Sequence, residues 1–313
     1  MRPRDGDRSR LPHSPGRGIA LAAGTAAISG VAVYLNSFAV RELPDATVFT
    51  TLKNGVAALL LVGIVLATPA ARRAIPTLSV RQWAGLATIG LVGGSIPFIL
   101  FFNGLAMASA PSAAFIHKTL FIWVALLAVP LLGERVGRPQ LVALAVLLGS
   151  QLLIQPPTGV TWGSGETLIA LATGLWAIEV ILARRLLQTI PSGVGAAGRM
   201  ALGLIVLAGF VLASGRGGVV ASLTASQWLW VIATGVLLTG YVATWYAALQ
   251  HAPATVVAAV LVAGAPLTAT LAAIGNGTLP APGVIGGQAL VLLGAIAMAW
   301  FALRRPRLLP TSG

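Results

Sequence analysis

Apolar residues come in ten long blocks along this chain, divided by short segments rich in polar residues, glycine or proline. The blocks fall at about 18–40, 46–67, 82–105, 110–132 and 139–155, then at 164–183, 193–213, 225–249, 252–274 and 281–303. A helix crosses a bilayer with roughly 20 mostly apolar residues, and the blocks have about that length, the fifth being the shortest. Only helices or closed barrels satisfy their backbone in lipid, and the alternating ten-residue strands of a membrane barrel are absent. The pattern predicts an all-α integral membrane protein with ten transmembrane helices.

The blocks also repeat. Gln82-Trp83 and Gln227-Trp228 each open a long apolar run, 82–105 and 227–249, and each run leads straight into another. Lys53 matches Arg199 at a spacing of 146, and at that spacing Val65-Leu66-Ala67 meets Val211-Leu212-Ala213. Each copy holds five blocks, and an odd number turns the second copy upside down relative to the first. Two inverted five-helix repeats, 18–155 and 156–303, are therefore expected between a basic N-terminal tail at 1–17 and a C-terminal tail at 304–313. Secondary transporters are often built this way, with the substrate site near the membrane midplane between the repeats.

Composition agrees. The chain is 57% hydrophobic and 9% charged, with mean hydropathy +0.91, against about 25% charged in a soluble domain. It has no cysteine, and so no disulfide or thiolate metal site. The net charge of +13 would suit nucleic acid, but no aromatic-basic module accompanies it. If both termini are cytoplasmic, fifteen arginines between Arg2 and Arg307 fall in inside loops and tails, and only Arg41 and Arg216 fall outside. That is the positive-inside bias. It predicts a multi-pass protein of the cell (inner or plasma) membrane with both termini cytoplasmic. The N-terminal stretch reads as a cytosolic tail rather than a signal peptide. The expected partners are a small-molecule substrate and the lipid bilayer, with a homodimer left open and no nucleic acid; no cofactor is expected.

Leu131-Leu132-Gly133-Glu134-Arg135 closes the fourth block, Gln140 and Gly149 follow, and Ala265-Pro266-Leu267 and Gly277 stand in the second copy. With the architecture, these residues resemble the drug/metabolite transporter superfamily and, within it, the EamA-like permeases. The resemblance spans about 18–303. It implies ten helices in two repeats, and movement of small polar metabolites, often outward, without ATP. No Walker motif is present, since the glycines at 90–94 lack a Gly-Lys-Ser/Thr ending. Three positions depart from the pattern: Ile122 matches Pro266, Thr278 matches Glu134, and Lys53 stands where many relatives have arginine.

An ionisable residue at membrane depth costs about 2.5–3.5 kcal/mol on insertion scales and is a functional candidate by default. His117 and Lys118 lie near the middle of the fourth block. Neighbours on a helix point about 100° apart, so at most one is expected to face a central cavity squarely. Lys118 is the candidate to hold a substrate carboxylate or phosphate, or to pair with Glu179. His117 is a candidate proton relay or a packing histidine. Glu179 is the candidate proton-coupling carboxylate, against an ion pair with Arg184 or Arg185. Lys53 and Arg199 are candidates for gating or substrate contact, against snorkelling anchors. Glu134 and Arg135 read as gate or helix-end charges. Asn36, Asn103, Trp123, Trp176, Tyr241 and Trp245 are candidates to complete an aromatic-walled pocket. Pro97, Pro130 and Pro266 are candidate kinks, although proline is ordinary in membrane helices. Gly90-x-x-x-Gly94 and Gly283-x-x-x-Gly287 read as close-packing sites.

Together these residues favour a secondary transporter, an exporter of a small polar metabolite, working by alternating access between the repeats. Inside the blocks Lys53, Lys118 and Arg199 stand against Glu179 alone, which favours an anionic or zwitterionic substrate such as an amino acid. Proton drive through Glu179 or His117 is one option and facilitated diffusion another. A non-transporting scaffold or sensor stays open. A membrane-embedded enzyme is disfavoured: of three histidines, His13 is in the tail and His251 at a loop, and no catalytic residue or metal ligand is assigned.

Overall fold

The computed structural model describes residues 14–154 and 162–304; most of the expected N-terminal tail (1–13), the end of the fifth block with the link after it (155–161) and the C-terminal tail beyond Arg304 lie outside the described residues. Among the described residues the chain is helical, with no strand. The first half runs α1 (Pro15–Glu42), α2 (Ala46–Ala67), α3a (Val80–Gly94), α3b (Ile96–Leu105), α4a (Ala110–Lys118), α4b (Leu120–Leu132) and α5 (Arg138–Ile154). The second runs α6 (Ser164–Leu186), α7 (Ser192–Ala213), α8 (Ala225–His251), α9a (Ala254–Leu261), α9b (Gly264–Asn276) and α10 (Pro282–Leu303). Counting the paired pieces as single spans, nine described spans are long and apolar enough to cross a membrane. The tenth candidate, α5, is shorter at 17 residues.

The helix ends follow from their residues. Ser79 Oγ accepts the N–H of Gln82 while the Gln82 side chain accepts the N–H of Ser79, and Thr224 and Gln227 do the same at the start of α8. The Gln-Trp marks of the repeat are thus the third helical positions of two capping boxes. Both glutamines also reach across the bundle: Gln82 Nε2 donates to Thr189, before α7, and Gln227 Nε2 to the Glu42 carbonyl, at the end of α1. Gly133 and Gly277 end α4b and α9b with φ of 66° and 64°. These are left-handed values that favour glycine.

Packing pairs the two halves reciprocally. The α1 helix packs on α8 as α6 packs on α3, and α1 packs on α9 as α6 packs on α4. Likewise α2 packs on α8 as α7 packs on α3, while α2 meets α7 and α5 meets α10. Small residues allow the closest approaches. A Cβ added at Gly90 or Gly94 would come within 2.8 or 2.9 Å of α7 atoms, and one at Gly287 within 2.6 Å of Ile154 on α5. Gly283 faces open space, so only one glycine of that pair is a packing site.

Three of the expected spans are interrupted. The third breaks at Ser95, two residues before Pro97; the fourth breaks at Thr119 and the ninth at Val262–Ala263. The last two breaks lie 144 positions apart, the spacing that also relates Gly133 to Gly277. Proline is not their shared cause, for Pro130 stays inside α4b. In α4 the break is a tightened turn: the Thr119 N–H and hydroxyl both donate to the Ile116 carbonyl, at 3.1 and 2.6 Å. In α9, Pro266 has no N–H to offer Val262, and the Ala265 N–H takes that carbonyl at 3.0 Å.

Candidate functional site

One cavity of about 460 Å³ lies against both matched breaks. His117 and Lys118, the last two residues of α4a, line one wall; Val262 and Gly264 flank the α9 break on another. Ser29 of α1, Thr268 of α9b and Gln288 of α10 add polar groups to an otherwise apolar lining. His117 and Lys118 both border this space, although neighbours on a helix point about 100° apart. Among the described lining residues there is no carboxylate, and the one amino group is that of Lys118.

Glu179 lies elsewhere, in a buried polar node between α3, α6, α7 and α8. Its Oε1 is 3.4 Å from Arg199 Nε and accepts the Tyr246 hydroxyl. All three side chains are buried, and a charge out of water is tolerated when paired and hydrogen-bonded. The partner of Glu179 is therefore Arg199, not Lys118, Arg184 or Arg185. Arg199 Nη2 also donates to the Gly93 carbonyl at 2.9 Å, and Trp176 Nε1 donates to the same oxygen at 3.1 Å. That oxygen is available because Pro97, four residues on, has no N–H to bond it. Gly93 must lack a side chain, since a Cβ there would come 2.1 Å from Glu179 Cγ.

Trp176 joins the node to the cavity. Its ring meets that of His117 at 4.9 Å and that of Phe101 at 5.7 Å, and His117 and Phe101 are cavity wall. Continuous contacts thus lead from His117 through Trp176, Gly93 and Arg199 to Glu179 and Tyr246.

Among the described residues Lys53, the match of Arg199, meets no carboxylate. Its Nζ donates to Asn36 Oδ1 at 3.3 Å and lies 5.0 Å from the Phe49 ring centre, while Asn36 donates to the Ala32 carbonyl at 2.7 Å. The first half thus supplies an amide from α1 where the second supplies a carboxylate from α6. Asn103 is exposed and bonds its own helix at the Ile99 carbonyl, and Trp123 is exposed, donating to Thr119 Oγ1 at 3.2 Å. Tyr241 and Trp245 stack at 6.2 Å, with Trp245 in the main core. Of the residues expected to form a pocket or relay, the cavity collects His117 and Lys118, with Trp176 one ring behind.

Glu134 does sit at a helix end, but not its own alone. Its carboxylate accepts the N–H groups of Ala254 and Thr255, in the first turn of α9a, where an anion is favoured. Beside it Arg184 donates to the Leu249 and Gln250 carbonyls at the end of α8, and Arg185 to the Leu131 carbonyl. Arg135 follows Glu134 in the link between α4b and α5. The Glu134 and Arg185 contacts join the two halves at the end of the bundle away from the cavity, and those of Arg184 hold α6 to α8 within the second half.

The sequence reading passed over Gln288, whose Oε1 is buried with no hydrogen-bond partner at the cavity wall; a lone amide early in the tenth block was the available signal. Gly93 was marked only by standing four residues before a proline. Asn54 and Gln151 are buried amides that make no side-chain hydrogen bond, and nothing in their spacing distinguished them.

The model of the EamA-like transporter family matches this chain twice, over residues 16–155 and 163–300. A solved structure described as "Crystal structure of protein" superposes with a TM-score of 0.73 at 18% identity, covering 91% of this chain and 98% of its own. At that identity the likeness speaks for the fold. No curated protein matches the chain.

Proposed function

The chain belongs to the EamA-like transporter family, and on that footing we propose that it is a secondary transporter of a small anionic or zwitterionic metabolite, with an amino acid as the leading case, working by alternating access. One observation carries this reading: α4 and α9 are interrupted at matched positions around a single cavity whose lining offers Lys118 as its amino group. Interrupted helices in corresponding places of two halves are where transporters of this architecture hold their cargo.

The topology proposed is ten spans, with α5 the shortest, in two inverted repeats. The helix pairings that survive exchange of the halves support it. The arginine count supports cytoplasmic termini in the cell membrane. In that orientation Glu134 and its α9a contact face the cytoplasm, and the cavity is displaced toward the outside. Export is the direction the family resemblance favours. Lys118 receives the substrate carboxylate. Where a proton gradient drives the cycle, His117 is the cavity-side carrier, because it lines the cavity and Glu179 does not.

Flux in proteoliposomes tests the reading, using a pool of amino acids and small organic acids with and without a pH gradient. Wild type is expected to move at least one of them, and Lys118→Ala to slow that flux about 10- to 100-fold, the worth of one charge-assisted hydrogen bond. Undiminished flux through Lys118→Ala would remove Lys118 from the site. A folded, inserted protein that moves none of the pool would remove the substrate class.

A further inference from the structure

Gln288 lines two spaces. A second space of about 550 Å³ lies between α9b and α10 and shares Ala269 and Gln288 with the first. Among the described residues its wall is apolar apart from Thr270, Thr278 and Gln288 and carries no charged side chain. Ile274 and Leu279, at its rim, are 74% and 90% exposed, so the groove opens on the outer surface of the bundle. A small zwitterion has no partner in such an arm and would place its charges against an apolar wall, whereas an apolar chain lies there without that cost. At the junction stands Gln288 Oε1, a buried acceptor without a donor, which a ligand N–H would satisfy.

We propose that the cargo is an amphipathic carboxylate of the N-acyl amino acid type. Its carboxylate lies at Lys118, its amide N–H at Gln288 and its acyl tail along the groove between α9b and α10. Charge complementarity fixes the head, the unpaired acceptor fixes the neck, and the uncharged arm fixes the tail. The proposal rests on the transporter reading and narrows its substrate class.

The test is binding of N-acylglycines of increasing chain length to the full chain in lipid nanodiscs, alongside flux of short zwitterions in proteoliposomes. Affinity is expected to rise roughly two- to fourfold per methylene over the first several carbons. Ala289→Phe, which fills the groove from α10, should flatten that rise while short-zwitterion flux stays as in wild type; Ala273→Phe, from α9b, should do the same. Gln288→Leu should weaken acylglycines more than plain carboxylates of equal length. Binding without chain-length dependence, or dependence that survives both phenylalanine variants, overturns the proposal. A groove held instead by a phospholipid or a second copy also overturns it, and shows as co-purified lipid or as a dimer lost in Ala289→Phe. If short zwitterions move while acylglycines neither bind nor compete, the groove assignment fails and the transporter reading stands. If acylglycines bind with tail dependence and nothing moves, the reverse holds.

Discussion

A single carbonyl oxygen, that of Gly93, organises the buried charges because Pro97 denies it a helical donor and Arg199 and Trp176 supply two others. Arg199 in turn depends on Glu179, and removing one partner of a buried ion pair costs about 3–5 kcal/mol because the other charge is left uncompensated. Glu179→Ala is expected to lose stability of that order in detergent unfolding. The double variant Glu179→Gln with Arg199→Met should recover most of it. If the double variant is as damaged as the sum of the singles, the pair is not the coupled unit described here. Tyr246→Phe removes one hydrogen bond to the same carboxylate and should cost about 1.5–3 kcal/mol in that assay. Glu179, Arg199 and Trp176 were all visible in the sequence as polar or aromatic residues inside apolar blocks. Their convergence was not, because Glu179 and Arg199 sit on different helices, and no spacing rule states which faces of α6 and α7 meet.

At the scale of elements, the helices were legible and their interruptions were not. Hydropathy registers the apolar run, and a one-residue break such as Thr119 leaves the run apolar. Only the 144-residue register shared by Gly133 and Gly277 could have drawn attention to positions 119 and 263. The Glu134 motif was legible as a helix-end charge, but its target was not: it caps α9a, a helix of the other half. The matching residue Thr278 carries no charge, and at α4a the first turn is served locally, by Ser109 Oγ accepting the Ser112 N–H at 3.3 Å. Glu134→Ala should therefore uncap α9a at about 0.5–2 kcal/mol. Hydrogen exchange should quicken at the amides of residues 254 and 255 and stay unchanged in α4a. Equal effects on both helices would show that the cap is not specific to α9a.

For the molecule as a whole, the repeat was readable because its marks are local: two capping boxes and two left-handed glycines. The cavity was not, because it exists only where α1, α3, α4, α9 and α10 come together, and most of its lining is alanine, valine, leucine and phenylalanine without chemical signature. Alternating access requires that this cavity and the opposite end of the bundle open in turn. On the proposed alternating-access reading, the Glu134 contact, which joins the two halves at that opposite end, stabilises the state described here and has to part when that end opens. The absence of cysteine makes single introduced thiols clean reporters. Ser29→Cys, in the cavity wall, is expected to react with a membrane-impermeant maleimide added from the side of the α9–α10 turn. Thr255→Cys, buried against Glu134, is expected to be protected. Adding Glu134→Ala, at about 1 kcal/mol, should raise Thr255→Cys labelling about fivefold and lower that of Ser29→Cys. Opposite changes are what one two-state equilibrium demands, because each state exposes one site at the expense of the other. If both thiols become more reactive together, Glu134 supports local folding of α9a and does not bias the exchange between the two states.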